Sequence, residues 1–230
     1  MTDVSPPPII KKFEYQTVKQ VNLDGKRFYE TPDGSKTPSV STILRATKDM
    51  TGLNAWKKRV GAKNAQKIVS EAAGIGTAMH GNLERFLLRE ERQADDQDVQ
   101  VKANAMAQKI IDNGLSDVNE VWGIEQALYF PKKYSGTADL IGEYKNLPAV
   151  MDFKQSNKPK RKEWIDDYFL QLTAYRLAHN QVYATNIKCG IIFLCTRDEE
   201  YQQFDLNESD CNYWETIWWN RVDQYYDQIK

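Results

Sequence analysis

Two aspartates and a lysine form the strongest chemical pattern in the sequence. Asp139 lies in the segment Gly136–Leu140, and Asp152 and Lys154 lie in the segment Met151–Lys154. Apolar residues flank both acids, whereas carboxylates of soluble proteins usually face solvent. Asp152 and Lys154 are two residues apart in a predicted strand, so their side chains share one face. Asp139 lies on the preceding predicted strand, and a hairpin would bring it beside Asp152.

A divalent cation between the two acids would explain this arrangement. Two carboxylates held close together repel each other unless a cation lies between them. Oxygen ligands favour Mg²⁺ or Mn²⁺, and such an ion polarises a phosphate and helps to generate hydroxide from water. Lys154 would stabilise the negative transition state or hold the attacking water. The combination suits phosphodiester hydrolysis. The alternative is a surface hairpin on which Asp139 and Asp152 are solvated and Lys154 pairs with one of them.

Two further pairs of polar residues have helical i, i+4 spacing, which places both members on one helix face. His80 could bind a metal through its neutral imidazole, with Glu84 as a ligand or supporting group. Gln171 and Tyr175 could hydrogen-bond a phosphate or orient a water. The alternatives are an ordinary histidine with a helix-stabilising acid, and a polar seam on a packed helix. Scattered cysteines and the lack of an HExxH motif argue against zinc.

A run of basic residues directly follows the predicted metal strand, with no acid among them. The run consists of Lys154, Lys158, Lys160, Arg161 and Lys162. It could bind a phosphate backbone, although charge runs are usually solvated loops. Lys57 belongs to a second basic segment, predicted to be helical, and its role is more ambiguous. Trp56 and Tyr134 could stack on bases, or they could be core residues.

Composition indicates one globular domain in a reducing compartment. The chain has 230 residues, of which 41% are hydrophobic and 27% charged, and its formal net charge is −1. A nucleic-acid partner would therefore need a local basic patch. Three cysteines without CxxC pairing favour an intracellular, cytoplasmic setting. We expect no membrane partner, because there is no signal peptide and no apolar run approaches the ~20 residues of a membrane helix.

The first half of the chain is predicted to be mainly helical. An extended arm precedes a hairpin that turns at Asp24–Gly25. A short helix opens within Pro38–Leu44, where hydroxyl residues can cap it. A long helix over Leu53–Ala73 is predicted to be interrupted at Gly74–Gly76. A helix over Thr77–Leu88, a charged connection and a helix over Val99–Asn113 follow.

The second half is predicted to alternate strands and helices. The predicted elements are strands over Val121–Phe130, Gly136–Glu143 and Ala149–Gln155, a helix over Glu163–His179, strands over Ile187–Thr196 and Glu200–Asp205, and a terminal helix over Leu206–Lys230. This order predicts a mixed α/β domain around one central sheet, flanked by helices.

The motifs, taken together in their order, resemble the PD-(D/E)xK nuclease superfamily and its RecB-type branch, which includes phage exonucleases. The segments that carry the resemblance are Pro38–Leu44 and Trp56, Gly76–His80 with Glu84, Gly136–Leu140, Asp152–Lys154, and Gln171 with Tyr175. One departure is Ala138 where the superfamily usually has proline before the first acid. The resemblance implies a restriction-endonuclease-like domain over 38–230, with a helical subregion at about 40–114 and a catalytic core at about 118–230. Residues 1–37 would form an N-terminal arm and hairpin.

The resemblance also implies a role for each matching residue. The metal ligands would be Asp139, Asp152, His80 and the main-chain carbonyl of Phe153. Lys154 would be the catalytic lysine, Gln171 and Tyr175 would position the substrate, and Glu84 would support the metal site. Glu125, on the strand before Asp139, has a weaker case. The hydroxyl residues Ser39, Ser41 and Thr42 could contact phosphates at a helix N-terminus.

These features predict a Mg²⁺- or Mn²⁺-dependent DNA exonuclease that acts on single-stranded DNA in replication, repair or recombination. The expected chemistry is in-line attack of a metal-activated water on the scissile phosphate. An endonuclease on the same fold and a catalytically silent nucleic-acid-binding module are the alternatives. Expected partners are DNA and a helicase or another replication or recombination protein. We expect a monomer.

Overall fold

The computed structural model describes residues 4–92 and 97–229, in which two sheets, six α-helices and two short 3-10 helices are assigned. The N-terminal sheet is antiparallel and contains β1 (Lys19–Leu23), β2 (Lys26–Glu30) and β3 (Lys36–Pro38). The predicted hairpin is confirmed, because β1 and β2 pair on either side of Asp24 and Gly25. Both turn residues have positive φ, of 50° and 72°, which Gly25 adopts without steric cost.

Four helices occupy the next part of the chain. They are α1 (Val40–Ala46), α2 (Thr51–Val60), α3 (Ala62–Leu87) and α4 (Asp98–Asn113). The prediction of a helix break at Gly74–Gly76 is wrong, since α3 runs continuously through these glycines. The break falls instead at Gly61, where φ is +81°. Part of the predicted charged connection between α3 and α4, residues 93–96, lies outside the described residues.

Helix α3 stays intact through these glycines because one of its faces is buried from Ile75 to Leu87. Ile75, Met79, Leu83 and Leu87 recur every fourth residue and are at most 3% exposed. They pack with α4 and with one face of the central sheet. Burying four such side chains stabilises the helix by several kcal/mol, which outweighs roughly 1 kcal/mol for each helical glycine.

The central sheet has the order β4-β5-β6-β7-β8. Its strands are β4 (Val118–Phe130), β5 (Tyr134–Tyr144), β6 (Leu147–Ser156), β7 (Cys189–Thr196) and β8 (Tyr201–Leu206). Strands β6 and β7 are parallel and the other neighbours are antiparallel. Helix α5 (Asp166–Tyr183) makes the crossover between β6 and β7, and α6 (Glu208–Asp227) follows β8. The predicted α/β class, with a mixed central sheet flanked by helices, is confirmed.

Helices cover both faces of the central sheet and form two cores. Helices α3 and α4 pack on one face, and α1, α5 and α6 pack on the other. Trp214 and Trp218 of α6 are buried in the second core, as the aromatic-rich terminal helix predicts. Tyr134, a candidate base-stacking residue, is fully buried there and packs edge-on against Trp218. Of the two alternatives for Tyr134, base stacking and core packing, the structure shows core packing.

The N-terminal sheet is fixed against the start of β5. The Tyr29 hydroxyl bonds Thr137 Oγ1 at 3.1 Å, and the Thr37 hydroxyl bonds the buried Ser135 hydroxyl at 2.6 Å. Residues 4–12 run beside β4, where Ile10 N–H donates to the Val121 carbonyl at 2.8 Å. Within the described residues, no helix is long and apolar enough to span a bilayer.

Candidate metal centre and nucleic-acid cleft

The two aspartates lie where the ladder between β5 and β6 ends. The last paired residues at this end are Leu140 and Met151, and Asp139 and Asp152 are the next residues on their strands. The Phe153 N–H donates to Asp139 Oδ2 at 2.7 Å, which joins the strands at the point of divergence. Asp139 is 8% exposed and Asp152 is 0% exposed. The alternative of a solvated surface hairpin is therefore excluded for this pair.

Helix α3 brings His80 to the same point. The His80 Nε2–H donates to the Phe153 carbonyl at 2.9 Å, so Nδ1 is the ring atom that faces the acids. Nδ1 lies 3.6 Å from Asp139 Oδ2 and 3.8 Å from Glu125 Oε1. Burial lowers the pKa of His80, but the Asp139 and Glu125 carboxylates outweigh it and raise the pKa above its ordinary value. The pair of acids thus attracts a cation to this point.

Glu125 completes a cluster of three side chains that could bind a metal, although the sequence evidence for its role is weak. Ligand atoms of His80, Glu125 and Asp139 all lie within 4.8 Å of one another. Ile124 pairs with Leu140 and Gln126 with Ala138, so Glu125 lies opposite Asp139. Its φ is +46°, uncommon for a residue with a side chain, and such outliers often occur at functional sites. In the sequence, Glu125 is only an acid on the strand before Asp139. This is weak evidence unless the register between the two strands is known.

Asp152 and Lys154 form a buried ion pair beside this cluster. The Lys154 ammonium contacts Asp152 Oδ2, yet within the described residues neither carboxylate oxygen of Asp152 has a hydrogen bond of normal geometry. Burial raises the pKa of Asp152, which Lys154 only partly counteracts. Burial lowers the pKa of Lys154, but Asp152 and Asp139 reverse this and raise it, so Lys154 is cationic at neutral pH. Both side chains share one face of β6, and Phe153 packs in the opposite core, as the strand alternation predicts.

The residues present fit a hard divalent cation. Two carboxylates and an imidazole converge, and a third carboxylate, that of Asp152, is buried with Oδ2 paired to Lys154 and Oδ1 without a hydrogen bond among the described residues. Burying such groups is costly unless a cation or hydrogen bonds compensate. A predominantly oxygen donor set favours Mg²⁺ or Mn²⁺. The Phe153 carbonyl, a predicted ligand, accepts the His80 hydrogen bond described above.

Helix α5 forms the wall opposite α3. The Gln171 amide donates to the Tyr175 hydroxyl at 3.1 Å, which confirms that the two share one helix face. Burial raises the pKa of Tyr175 well above its ordinary value, so this hydroxyl keeps its proton. A Cβ on Gly136 would lie 2.6 Å from the Tyr175 ring, so the glycine is needed for this packing. Tyr168, one turn before Gln171, places its ring 5.2 Å from Lys154 Nζ.

These walls enclose a cavity of about 180 Å³ that contains most of the predicted catalytic residues. The side chains around it come from seven elements and include His80, Glu125, Asp139, Lys154, Gln171, Tyr175, Ser39, Ser41, Arg27 and Tyr29. Arg27 and Tyr29 were not predicted, because nothing in the hairpin sequence links it to the acids.

The three hydroxyl residues of the α1 N-terminus have different surroundings. Ser39 caps the helix by accepting from Thr42 N–H at 3.0 Å, which confirms the predicted cap. Thr42 is buried and donates its hydroxyl proton to the Arg27 carbonyl at 2.9 Å. Ser41 is exposed and borders the cavity, so of the three it is the best placed to meet a phosphate.

Glu84 is close to the metal centre but not part of it. It lies one helical turn beyond His80 and borders a neighbouring cavity that His80, Glu125 and Arg27 also line. It is absent from the cluster of converging ligand atoms found in the described residues. This position agrees with a supporting role rather than with direct ligation.

The predicted DNA-binding lysines lie outside the cavity. The loop after β6 carries Lys158, Lys160, Arg161 and Lys162, none of which lines the cavity. Two of these charges have partners, since Arg161 lies 3.9 Å from Glu163 and Lys162 lies 3.6 Å from Asp210. Trp164, which follows this loop, is 61% exposed. Lys57 is exposed on α2, a helix without buried residues.

Comparison with known proteins finds similarity to a group of exonucleases. No family model matches the chain. The chain is 28% identical to mitochondrial genome maintenance exonuclease 1 from Homo sapiens, over 84% of this chain and 59% of that protein. The proteins of the same name from Xenopus tropicalis and Mus musculus are 26% and 27% identical, over 82% and 84% of this chain and 57% and 60% of theirs. The chain therefore spans less than two thirds of the length of these relatives.

Among solved structures, the crystal structure of SSO0001 matches 57% of this chain and 66% of its own chain at 16% identity. The TM-score of 0.29 is too low to indicate a common fold.

Proposed function

We propose that this chain is a Mg²⁺- or Mn²⁺-dependent DNA exonuclease of the PD-(D/E)xK type that acts on single-stranded DNA. The observation that carries the proposal is the convergence of His80, Glu125 and Asp139 where two strands diverge, with the buried Asp152–Lys154 ion pair next to Asp139 at the same strand end. The similarity to exonucleases over 84% of the chain supports the same reaction class. Its pathway would be DNA replication, repair or recombination.

The protein groups around the cavity divide the work of phosphodiester hydrolysis. A divalent ion held by Asp139, Asp152, His80 and Glu125 would supply Lewis-acid polarisation and a hydroxide equivalent. Lys154 carries a positive charge in a mostly buried site, where it stabilises the extra negative charge of the transition state better than in water.

The opposite wall positions the substrate. Gln171 holds the Tyr175 hydroxyl by a hydrogen bond, and both groups line the cavity. Because this hydroxyl stays protonated, it can donate to a phosphate oxygen. Groups held in place before the substrate binds contribute more than mobile ones, since less ordering is needed.

The test compares digestion of end-labelled single-stranded and double-stranded DNA, with Mg²⁺ or with EDTA, by wild type and three variants. Asp152→Asn and Lys154→Ala should lower kcat by roughly 100-fold or more, because each removes a group at the reacting phosphate. Lys102→Ala, which removes an exposed lysine of α4 outside the cavity, is the matched control and should keep kcat. The proposal fails if wild type cuts neither substrate, or if Lys154→Ala keeps full activity.

A circular single-stranded substrate separates exonuclease from endonuclease activity. An exonuclease needs an end, so the circle should stay intact while a linear strand of the same sequence is degraded. Cutting of the circle would favour an endonuclease on the same fold. DNA binding without cleavage of any substrate would favour a silent binding module.

A further inference from the structure

Arg27 of β2 is a cation in the wall of the cavity that the proposed mechanism does not use. It lines both the cavity that holds the metal cluster and the neighbouring one bordered by Glu84. Arg27 and Tyr29 are two residues apart on β2, so their side chains share one face. Tyr29 is 2% exposed and bonds Thr137 of β5. Arg27 is therefore directed to the same side as the central sheet, at the edge of the cavity.

The main chain of Arg27 is fixed while its side chain is exposed. Its carbonyl accepts hydrogen bonds from Ser39 N–H at 2.9 Å and from the Thr42 hydroxyl at 2.9 Å. Two bonds to the start of α1 thus set the position of Cα relative to the metal centre. Residue 27 itself is exposed, so its guanidinium can reach a ligand in the cavity.

The excess of carboxylates in the cavity indicates what the positive charge of Arg27 could do. Three carboxylates are grouped here: those of Glu125 and Asp139 line the cavity, and that of Asp152 is buried and paired with the Lys154 ammonium. In the part of the chain that the structure describes, no carboxylate lies within 4.0 Å of the Arg27 guanidinium. A polyanionic strand approaching three carboxylates needs a further positive charge, and arginine binds phosphate oxygens with two parallel hydrogen bonds.

We propose that Arg27 is a substrate-positioning residue that binds a backbone phosphate of the DNA strand beside the metal centre, together with the Ser41 hydroxyl. This proposal rests on the proposed nuclease function and deepens it. The hairpin of the N-terminal sheet is then a part of the substrate site rather than a structural appendage.

The test measures DNA binding in a Lys154→Ala background, in which cutting is slowed by roughly 100-fold or more and the strand stays intact during a short measurement. Fluorescence anisotropy with a labelled oligo(dT) strand and Mg²⁺ is recorded over a series of salt concentrations. Arg27→Gln should weaken binding roughly 10-fold or more, because a charged hydrogen-bonded contact is lost. The slope of log K against log salt should become shallower by about 0.7, the value for one phosphate contact on a single strand.

Two matched variants sharpen the result. Lys26 is the neighbouring cation on the opposite face of the same strand, and it lines neither cavity. Lys26→Gln should therefore leave the affinity and the salt slope unchanged. Arg27→Lys should restore the salt slope but only part of the affinity, since lysine keeps the charge and loses the bidentate geometry. Mn²⁺ binding and the unfolding temperature of Arg27→Gln should match those of the parent protein.

The contrary outcomes are distinct. If Arg27→Gln binds DNA as tightly as Lys26→Gln, or if it loses Mn²⁺ binding, the phosphate contact is wrong while the nuclease assignment stands. If Arg27→Gln does not fold, Arg27→Lys provides the test. A salt slope that differs from that of the Lys154→Ala parent would then overturn the phosphate contact. If wild type cuts no DNA and the parent variant binds none, the proposed function itself fails.

Discussion

At the scale of single residues, the candidate metal centre depends on acids that the fold keeps out of water. Asp139 and Asp152 are buried, and burial raises the pKa of both. The motif identifies these two residues and Lys154, because an acid-rich pattern within apolar strands is unusual. Glu125 has no such local signal, since its relevance depends on lying across from Asp139.

Glu125→Gln should weaken Mn²⁺ binding by roughly 10-fold or more, because it removes one carboxylate from the cluster while keeping the shape of the side chain. Isothermal titration calorimetry with Mn²⁺ on the DNA-free protein measures this. Glu84→Gln is the control, and it should change affinity less because Glu84 lies outside the cluster. Equal effects of the two substitutions would exclude Glu125 as a ligand.

His179 should make the fold sensitive to acid. It is fully buried on α5, where its ring bonds Thr185 and Tyr15 and packs edge-on against Phe13. Burial lowers the pKa of His179 to about 4, from an ordinary value near 6.5. Because the folded state binds this proton less well than the unfolded state, the stabilisation is present above pH ~6.5 and is lost as the pH falls towards ~4.

Urea unfolding of wild type and His179→Gln between pH 8 and pH 4 checks this expectation. Wild type should lose about 3 kcal/mol more than the variant over this range, because protonating the folded state requires a pH near 4 whereas the unfolded imidazole is protonated near 6.5. His80 is present in both proteins, so its contribution cancels in the difference. Parallel stability curves would contradict the pKa assigned to His179.

At the scale of elements, strand divergence and the path of α3 create the site. Strands β5 and β6 separate at the two aspartates, and α3 delivers His80 to the gap. The strand and helix periodicity predicts nearly every element, but the predicted interruption at Gly74–Gly76 is wrong. Glycine lowers local helix propensity, and the sequence does not reveal how much apolar surface tertiary packing buries on that helix.

Gly142 should be indispensable to the hairpin that carries Asp139. A Cβ at this position would lie 2.0 Å from the Glu120 carbonyl oxygen, next to a register shift in β4. Gly142→Ala should therefore lower the free energy of unfolding by about 2 kcal/mol or more. Gly52→Ala is the control, because no atom lies within 4 Å of its added Cβ, and it should be neutral or slightly stabilising. Urea denaturation that shows equal stability for both variants would contradict the close approach.

At the scale of the whole molecule, two helical layers and a small N-terminal sheet surround one cavity. The net charge of −1 gives no general attraction for DNA, so the proposed DNA binding would depend on local groups such as Lys154 and Arg27. Helices α1, α3 and α5, together with strands β2, β4, β5 and β6, each contribute to this cavity. Metal binding should consequently be linked to global stability.

Mg²⁺ at about 100 times its dissociation constant should stabilise the folded protein by about 2.7 kcal/mol, because only the folded chain assembles the site. For a chain of this size, that corresponds to a rise of roughly 5 to 10 °C in the unfolding temperature. Differential scanning fluorimetry with and without EDTA measures the shift. Asp139→Asn should abolish most of it, and an undiminished shift in that variant would place the ion elsewhere.

The sequence alone determined the element order, the α/β class and the local motif of acids and lysine, because these depend on periodicity and on near neighbours in the chain. It also indicated His80, Gln171 and Tyr175 through helical spacing. Only the tertiary structure decided that Glu125 faces Asp139, that α3 continues past its glycines, and that Arg27 reaches the cavity. Those features depend on strand register and on burial between distant segments, which no short stretch of sequence encodes.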